Sequence, residues 1–273
     1  MRSRDTLPEI NRLAIVAAAI MLAFALTQLV SFPAQKFSFN FLGIIIAFFL
    51  DFSTIITLLT AGLAATGMDW LIHSHQKAEE YQSRWIFLRH WIIPVLTTFV
   101  IGVALNTFAG TPLWWVSFVL GSLLLMAVFV AEYNVVAVDE VQHPLASVVL
   151  TGLSFALYLL LAIALFSANI RLYLRLPILA IGAMMVISRS LYLRLAKWYP
   201  LWAIVCSLIV SEVAVGFHYL PLSPTQFGLL LVGLAYALTS LVTGMIESRV
   251  GMAFWAEPVV MLTIMVIVSF IWG

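Results

Sequence analysis

Few residues of this chain could do chemistry: of 273, only 9% are charged, and five histidines and one cysteine complete the reactive set. Two acids stand out by place, because Asp51 and Glu212 each interrupt a long apolar run. An ionisable group in hydrocarbon costs at least about 2.5–3.5 kcal/mol, so it normally faces protein or a wet cavity and often marks a pathway. A carboxyl that exchanges its proton near neutrality is what proton coupling requires. Ser53, Thr54, Thr57 and Thr60 follow Asp51 and add hydroxyls to the same segment. Arg189 and Glu257 border apolar runs, Glu257 together with Glu247 and Arg249, and could line a vestibule. Tyr236 and Tyr158 lie inside such runs, where each hydroxyl needs a hydrogen-bond partner. Asp51, Glu212, Arg189, Glu257 and Tyr236 are therefore the candidate ligand or proton pathway, while His218 and Asn106 suit ordinary bonding at an interface.

Metal and cofactor chemistry has little footing. Glu140 and His143 have the E-x-x-H spacing of half a di-iron motif, but no second copy exists. Asp69 and His73 stand one helical turn apart with His75 nearby, in a polar segment that water would solvate. H-E-x-x-H, G-x-S-x-G and the Walker sequence do not occur. Cys206 is single, so neither an internal disulfide nor a thiolate cluster can form. No metal, no cofactor and no catalytic residue is expected.

The elements that position these groups follow from composition. Hydrophobic residues make up 64% of the chain, against about 45–50% in a soluble domain. The chain belongs in a bilayer, with membrane lipids as its first partners, and a multi-pass protein of the cell membrane is the expectation. A net charge of +1 without a basic stripe excludes nucleic acid.

A helix needs about 20 apolar residues to cross the hydrocarbon. Nine continuous runs qualify: 13–32, 41–67, 91–109, 113–131, 145–168, 172–188, 201–220, 226–246 and 253–272. The expected fold is thus an all-α polytopic bundle, residues 1–273 forming one integral membrane domain. The sixth run is the shortest, its only clean apolar stretch being Leu176 to Ile187, with Arg175, Pro177 and Arg189 at its borders. Counting Lys and Arg on alternate sides supports it: with nine crossings and the N-terminus inside, ten fall inside and three (Lys36, Arg171, Arg175) outside. The C-terminus is then outside. The first run, preceded by Arg2, Arg4 and Arg12, is longer than a usual signal-peptide core and reads as a retained anchor. The largest polar stretch, 68–90, is expected to be a cytoplasmic loop with an interfacial helix, since Tyr81, Trp85 and Leu88 share a face and Glu80 can pair with Arg84.

Three functions fit these observations. The first is a proton-coupled or lipid/small-solute transporter built around Asp51 and Glu212. The second is a structural or assembly subunit of a larger membrane complex, whose acids only join helices and whose partners are other proteins. The third is an intramembrane enzyme acting on a lipid, which requires several of Glu132, Asp139, Glu140 and Glu257 to converge on one inner pocket.

Overall fold

A computed structural model describes residues 10–30, 35–41, 44–73, 84–137, 143–168 and 170–272. Among the described residues the chain forms nine helices and one β-hairpin. In order these are α1 (Ile10–Leu29), β1 (Gln35–Phe41), β2 (Ile44–Leu50), α2 (Phe52–His73), α3 (Arg84–Thr107), α4 (Leu113–Ala137), α5 (His143–Ser167), α6 (Leu172–Leu195), α7 (Pro200–His218), α8 (Pro224–Ile246) and α9 (Met252–Trp272). All nine helices are long and apolar enough to span a membrane. In such a helix every backbone N–H and C=O is satisfied within the segment, as hydrocarbon demands.

One run departs from the expectation. Residues 44–50 are a strand and not the start of the second helix. Gln35–Phe41 pairs antiparallel with Ile44–Leu50, from Gln35 opposite Leu50 to Phe41 opposite Ile44. The sequence carries the cause: Phe37, Phe39 and Phe41 alternate with Lys36, Ser38 and Asn40, a period of two rather than 3.6. β2 is an apolar stretch rich in isoleucine and phenylalanine, which a hydropathy count cannot tell from helix.

The second helix therefore begins at Phe52 and continues to His73, beyond the expected end at 67. Residues 68–73 belong to α2 and 84–90 to α3, so the expected interfacial helix falls largely on 74–83, outside the described residues. The sixth helix is sound: α6 runs 24 residues straight through Pro177. At about 1.5 Å per residue it is long enough to cross.

The chain divides into two compact units, 1–140 and 141–273. In the first, α1 packs on α2 and α4, and α2 and α3 pack on each other and on α4. Ile20, Phe24, Met68, Leu71, Leu125 and Phe129 form its buried centre. Lipid tails are as apolar as leucine, so these faces are held by close fit rather than by escape from solvent. Gly67 shows how close: a side-chain carbon there would overlap Val16 of α1.

In the second unit α8 is central, packing against α5, α6, α7 and α9. Short connections make consecutive helices antiparallel. One end of the unit thus carries the turns at 168–171 and 219–223, and the other carries those at 196–199 and 247–251. Each turn has a local cause. Ala196 ends α6 in the left-handed conformation, φ 53°. Ser223 caps α8 reciprocally, its hydroxyl accepting from the Gln226 N–H while the Gln226 side chain accepts from the Ser223 N–H. Ser248 (φ 55°) and Gly251 (φ 70°) fold the chain sharply into α9. α9 packs along α8 and touches little else in its unit. Only 11% of its span is buried, against 61% for α8.

Candidate ionic site in the second unit

Three helices bring a cation, a phenol and a carboxylate together at the end of the second unit that carries the 196–199 and 247–251 turns. Arg194 is the penultimate residue of α6, Tyr236 lies within α8, and Glu257 is in the second turn of α9. Arg194 Nη1 donates to Glu257 Oε1 at 2.9 Å, and Nη2 donates to the Tyr236 hydroxyl at 2.7 Å. That hydroxyl in turn donates to the same Oε1 of Glu257 at 2.7 Å. The three groups close a ring in which each has a donor–acceptor role it can fill. Tyr236 is held by its ring: Phe155 of α5 meets it edge-on at 5.2 Å, and the Arg194 guanidinium lies 5.3 Å from its centroid.

A second cation reaches the carboxylate from the α8–α9 turn. Arg249 Nε donates to Glu247 at 2.7 Å, and its Nη1 approaches the other Glu257 oxygen at 3.4 Å. The Arg249 N–H bonds back to the Gly244 carbonyl, a turn that brings the side chain alongside α9. Two arginines and two glutamates balance in charge. None is fully shut away, the Arg194 and Glu257 side chains being 24% and 31% exposed. An ion pair of this openness contributes about 0–1 kcal/mol beyond its hydrogen bonds. Its interest lies in being breakable: a proton on Glu257, or an anion competing for Arg194, would untie α9 from α6.

Of the residues expected from sequence, Tyr236 and Glu257 are thus joined directly. The α6 cation that meets them is Arg194, which the sequence offered only as a count of positive charge. Arg189, five residues earlier, is completely buried with its guanidinium 5.6 Å from the Tyr192 ring. Glu212 is exposed on α7, on the same face as Leu208, itself 57% exposed. Asp51 belongs to the first unit and lies at the N-terminus of α2, not eleven residues inside a helix. Its Oδ1 accepts the Thr54 N–H at 2.8 Å. An aspartate there satisfies an orphan donor of the first turn, worth about 1 kcal/mol.

Two pairings were not foreseen, although His218 was expected to bond at an interface, and one expectation, a partner for the Tyr158 hydroxyl, is not met among the described residues. In the first unit His90 Nδ1 lies 2.9 Å from Glu132 Oε2, both groups buried. In the second, Arg175 of α6 meets His218 of α7 at 3.1 Å. Both pairs join residues some forty positions apart, and the signal was weak: each member sits near the end of an apolar run, and successive runs reverse direction. Tyr158 is fully buried, and its hydroxyl has no hydrogen-bond partner among the described residues. Asp139 and Glu140 lie outside the described residues, and nothing is described of the His143 side chain. Among the described residues no three His, Cys, Asp or Glu side chains gather as a metal site would need.

Nine spanning helices with ionic contacts at their ends define a polytopic helical membrane protein. The chain belongs to DUF5656, a family described as proteins of unknown function, whose sequence pattern matches residues 32–272. That match takes in the hairpin and most of both units. No curated protein and no solved structure matches the chain.

Proposed function

We propose that the protein is a carrier of a small polar or lipid-derived solute in which Glu257 is the proton-exchanging group and Arg194 and Tyr236 its alternating partners. The observation that supports this is the ring of Arg194, Tyr236 and Glu257 across α6, α8 and α9. A structural ion pair would serve as well with two members. A third, neutral group that both donates and accepts gives the carboxylate a hydrogen bond to keep when its charge is gone. Protonation removes the attraction to Arg194, and α9, which has little other contact with its unit besides α8, is the helix then free to shift. Asp51, as a helix cap, has no part in this exchange.

Proteoliposomes enclosing a pH-reporting dye provide the test, given an acid pulse in the presence of deproteinised cell extract as the source of solute. Wild-type vesicles acidify faster than protein-free ones, Glu257→Gln vesicles match the protein-free rate, and Asp51→Asn vesicles keep the wild-type rate. Equal rates in wild type and Glu257→Gln would overturn the carrier function.

A role as subunit of a membrane complex is second, and Glu212 favours it. An exposed carboxyl on the apolar outer face of α7 is costly against lipid and costs less against a partner helix. A complex subunit would co-purify with other chains in fixed stoichiometry, and Glu212→Leu would leave the acid-pulse rate unchanged.

A further inference from the structure

The opposite end of the second unit holds a buried cation with no carboxylate partner among the described residues. Arg175 is only 4% exposed. Its Nη1 faces His218 Nδ1 at 3.1 Å, its Nη2 donates to the Ile170 carbonyl at 3.1 Å, and the guanidinium carbon lies 4.9 Å from the Phe166 ring. Its Nε, buried, has no partner among the described residues. A guanidinium has five N–H donors, so most of its hydrogens remain unused. Both oriented partners are neutral: a carbonyl oxygen and an imidazole nitrogen that must offer a lone pair to accept from Nη1. That places the imidazole hydrogen of His218 on Nε2.

The surrounding sequence makes the imbalance general. Residues 166–176, 213–227 and 265–272, which build this end of the unit, contain no aspartate or glutamate, while Arg171 adds a second positive charge. Arg171 is exposed and solvated, whereas Arg175 is not. Buried charges are tolerated when paired, because desolvation of a lone ion costs several kcal/mol. Elsewhere in this unit, Arg194 is paired with Glu257 and Arg249 with Glu247. Phe166 and Phe227, 4.5 Å apart, wall the cluster with apolar surface.

We infer that Arg175 forms a binding site for a phosphate oxyanion. Its Nε–H and unused Nη hydrogens supply the planar fork that matches phosphate geometry, and His218, accepting from Nη1, orients the guanidinium. The site lies one turn inside α6 and at the last residue of α7, the level at which a lipid phosphate would sit and at which a free phosphate ester could still enter. The aromatic wall suits the apolar part of either ligand. This site is separate from the Glu257 ring, at the other end of α6, and stands whether or not the protein is a carrier.

Two measurements on delipidated full-length protein in detergent test the inference and separate the two sources. Inorganic phosphate is titrated while thermal unfolding is followed by tryptophan fluorescence, and phosphatidylglycerol is titrated by native mass spectrometry. A rise in midpoint with inorganic phosphate marks a site for the free anion; a single retained phosphatidylglycerol without that rise marks a lipid headgroup site. Arg175→Gln abolishes whichever response the wild type gives, and Arg171→Gln retains it. Should Arg175→Gln fail to yield monodisperse protein, Arg175→Lys replaces it, keeping the charge and losing the fork, with affinity reduced about tenfold. The inference is overturned by absence of both responses in the wild type, or by equal affinity in wild type and the Arg175 variant.

Discussion

Arg194 and Glu257 stand 63 positions apart in sequence and meet at 2.9 Å, one at the end of α6 and the other near the start of α9. Tyr236 bonds to both, so the pair has a built-in third member. Tyr236→Phe removes two hydrogen bonds to charged groups while keeping the ring against Phe155. A loss of about 1–2 kcal/mol is expected, read as a fall of about 2–4 °C in the unfolding midpoint. Glu257→Gln added to Tyr236→Phe should cost less than the sum of the two, because both act on one ring. Strict additivity in that cycle would show that the three groups do not work together.

His90 and Glu132 are both buried in the first unit, their side chains 6% and 0% exposed. Removing one partner of such a pair takes a buried hydrogen bond from the other, at a cost of about 1–3 kcal/mol. His90→Leu should therefore lower the yield of folded protein sharply. The double variant His90→Leu/Glu132→Leu, which takes both groups away, should recover much of it. Size-exclusion profiles in detergent report the outcome, and a double variant worse than the single one would contradict it.

Close approach of α1 to α2 depends on Gly67. A Cβ at that position meets Val16 inside van der Waals distance. Gly67→Ala is expected to destabilise by about 1–3 kcal/mol through overpacking. Val16→Ala makes room for the new methyl group, so Gly67→Ala/Val16→Ala should be more stable than Gly67→Ala alone. Thermal unfolding of the four variants distinguishes this from a loss due to glycine's backbone freedom, which Val16→Ala could not restore.

The distribution of positive charge predicts which side is which. Ten of the thirteen Lys and Arg residues fall on one side of a nine-crossing chain, and that side is expected to be cytoplasmic. In a Cys206→Ser background, a cysteine at Lys36 should react with a membrane-impermeant maleimide in intact cells, and one at Arg249 only after lysis. The reverse pattern would invert the orientation while leaving the nine helices as they are.

Membrane class and the number of helices were legible from the chain itself, because a bilayer tests each segment separately: about 20 apolar residues either cross or do not, whatever lies elsewhere. Where that test was blind, at 41–51, the missing information was still local. The alternation of Phe37, Phe39 and Phe41 with polar neighbours marked β1, and its antiparallel partner β2 is the stretch that hydropathy alone absorbed into a helix. Apolar length therefore placed Asp51 too deep, and the true start of α2 makes it a cap.

Which charges meet was another matter. Glu257 finds Arg194 as well as its sequence neighbour Arg249 because α6, α8 and α9 bring those residues together, an arrangement that no single segment contains. The same holds for Arg175 beside His218 and for His90 beside Glu132. Hydrophobicity is a property of a stretch of chain; an ion pair across helices is a property of their packing, and it arises only once the helices have assembled.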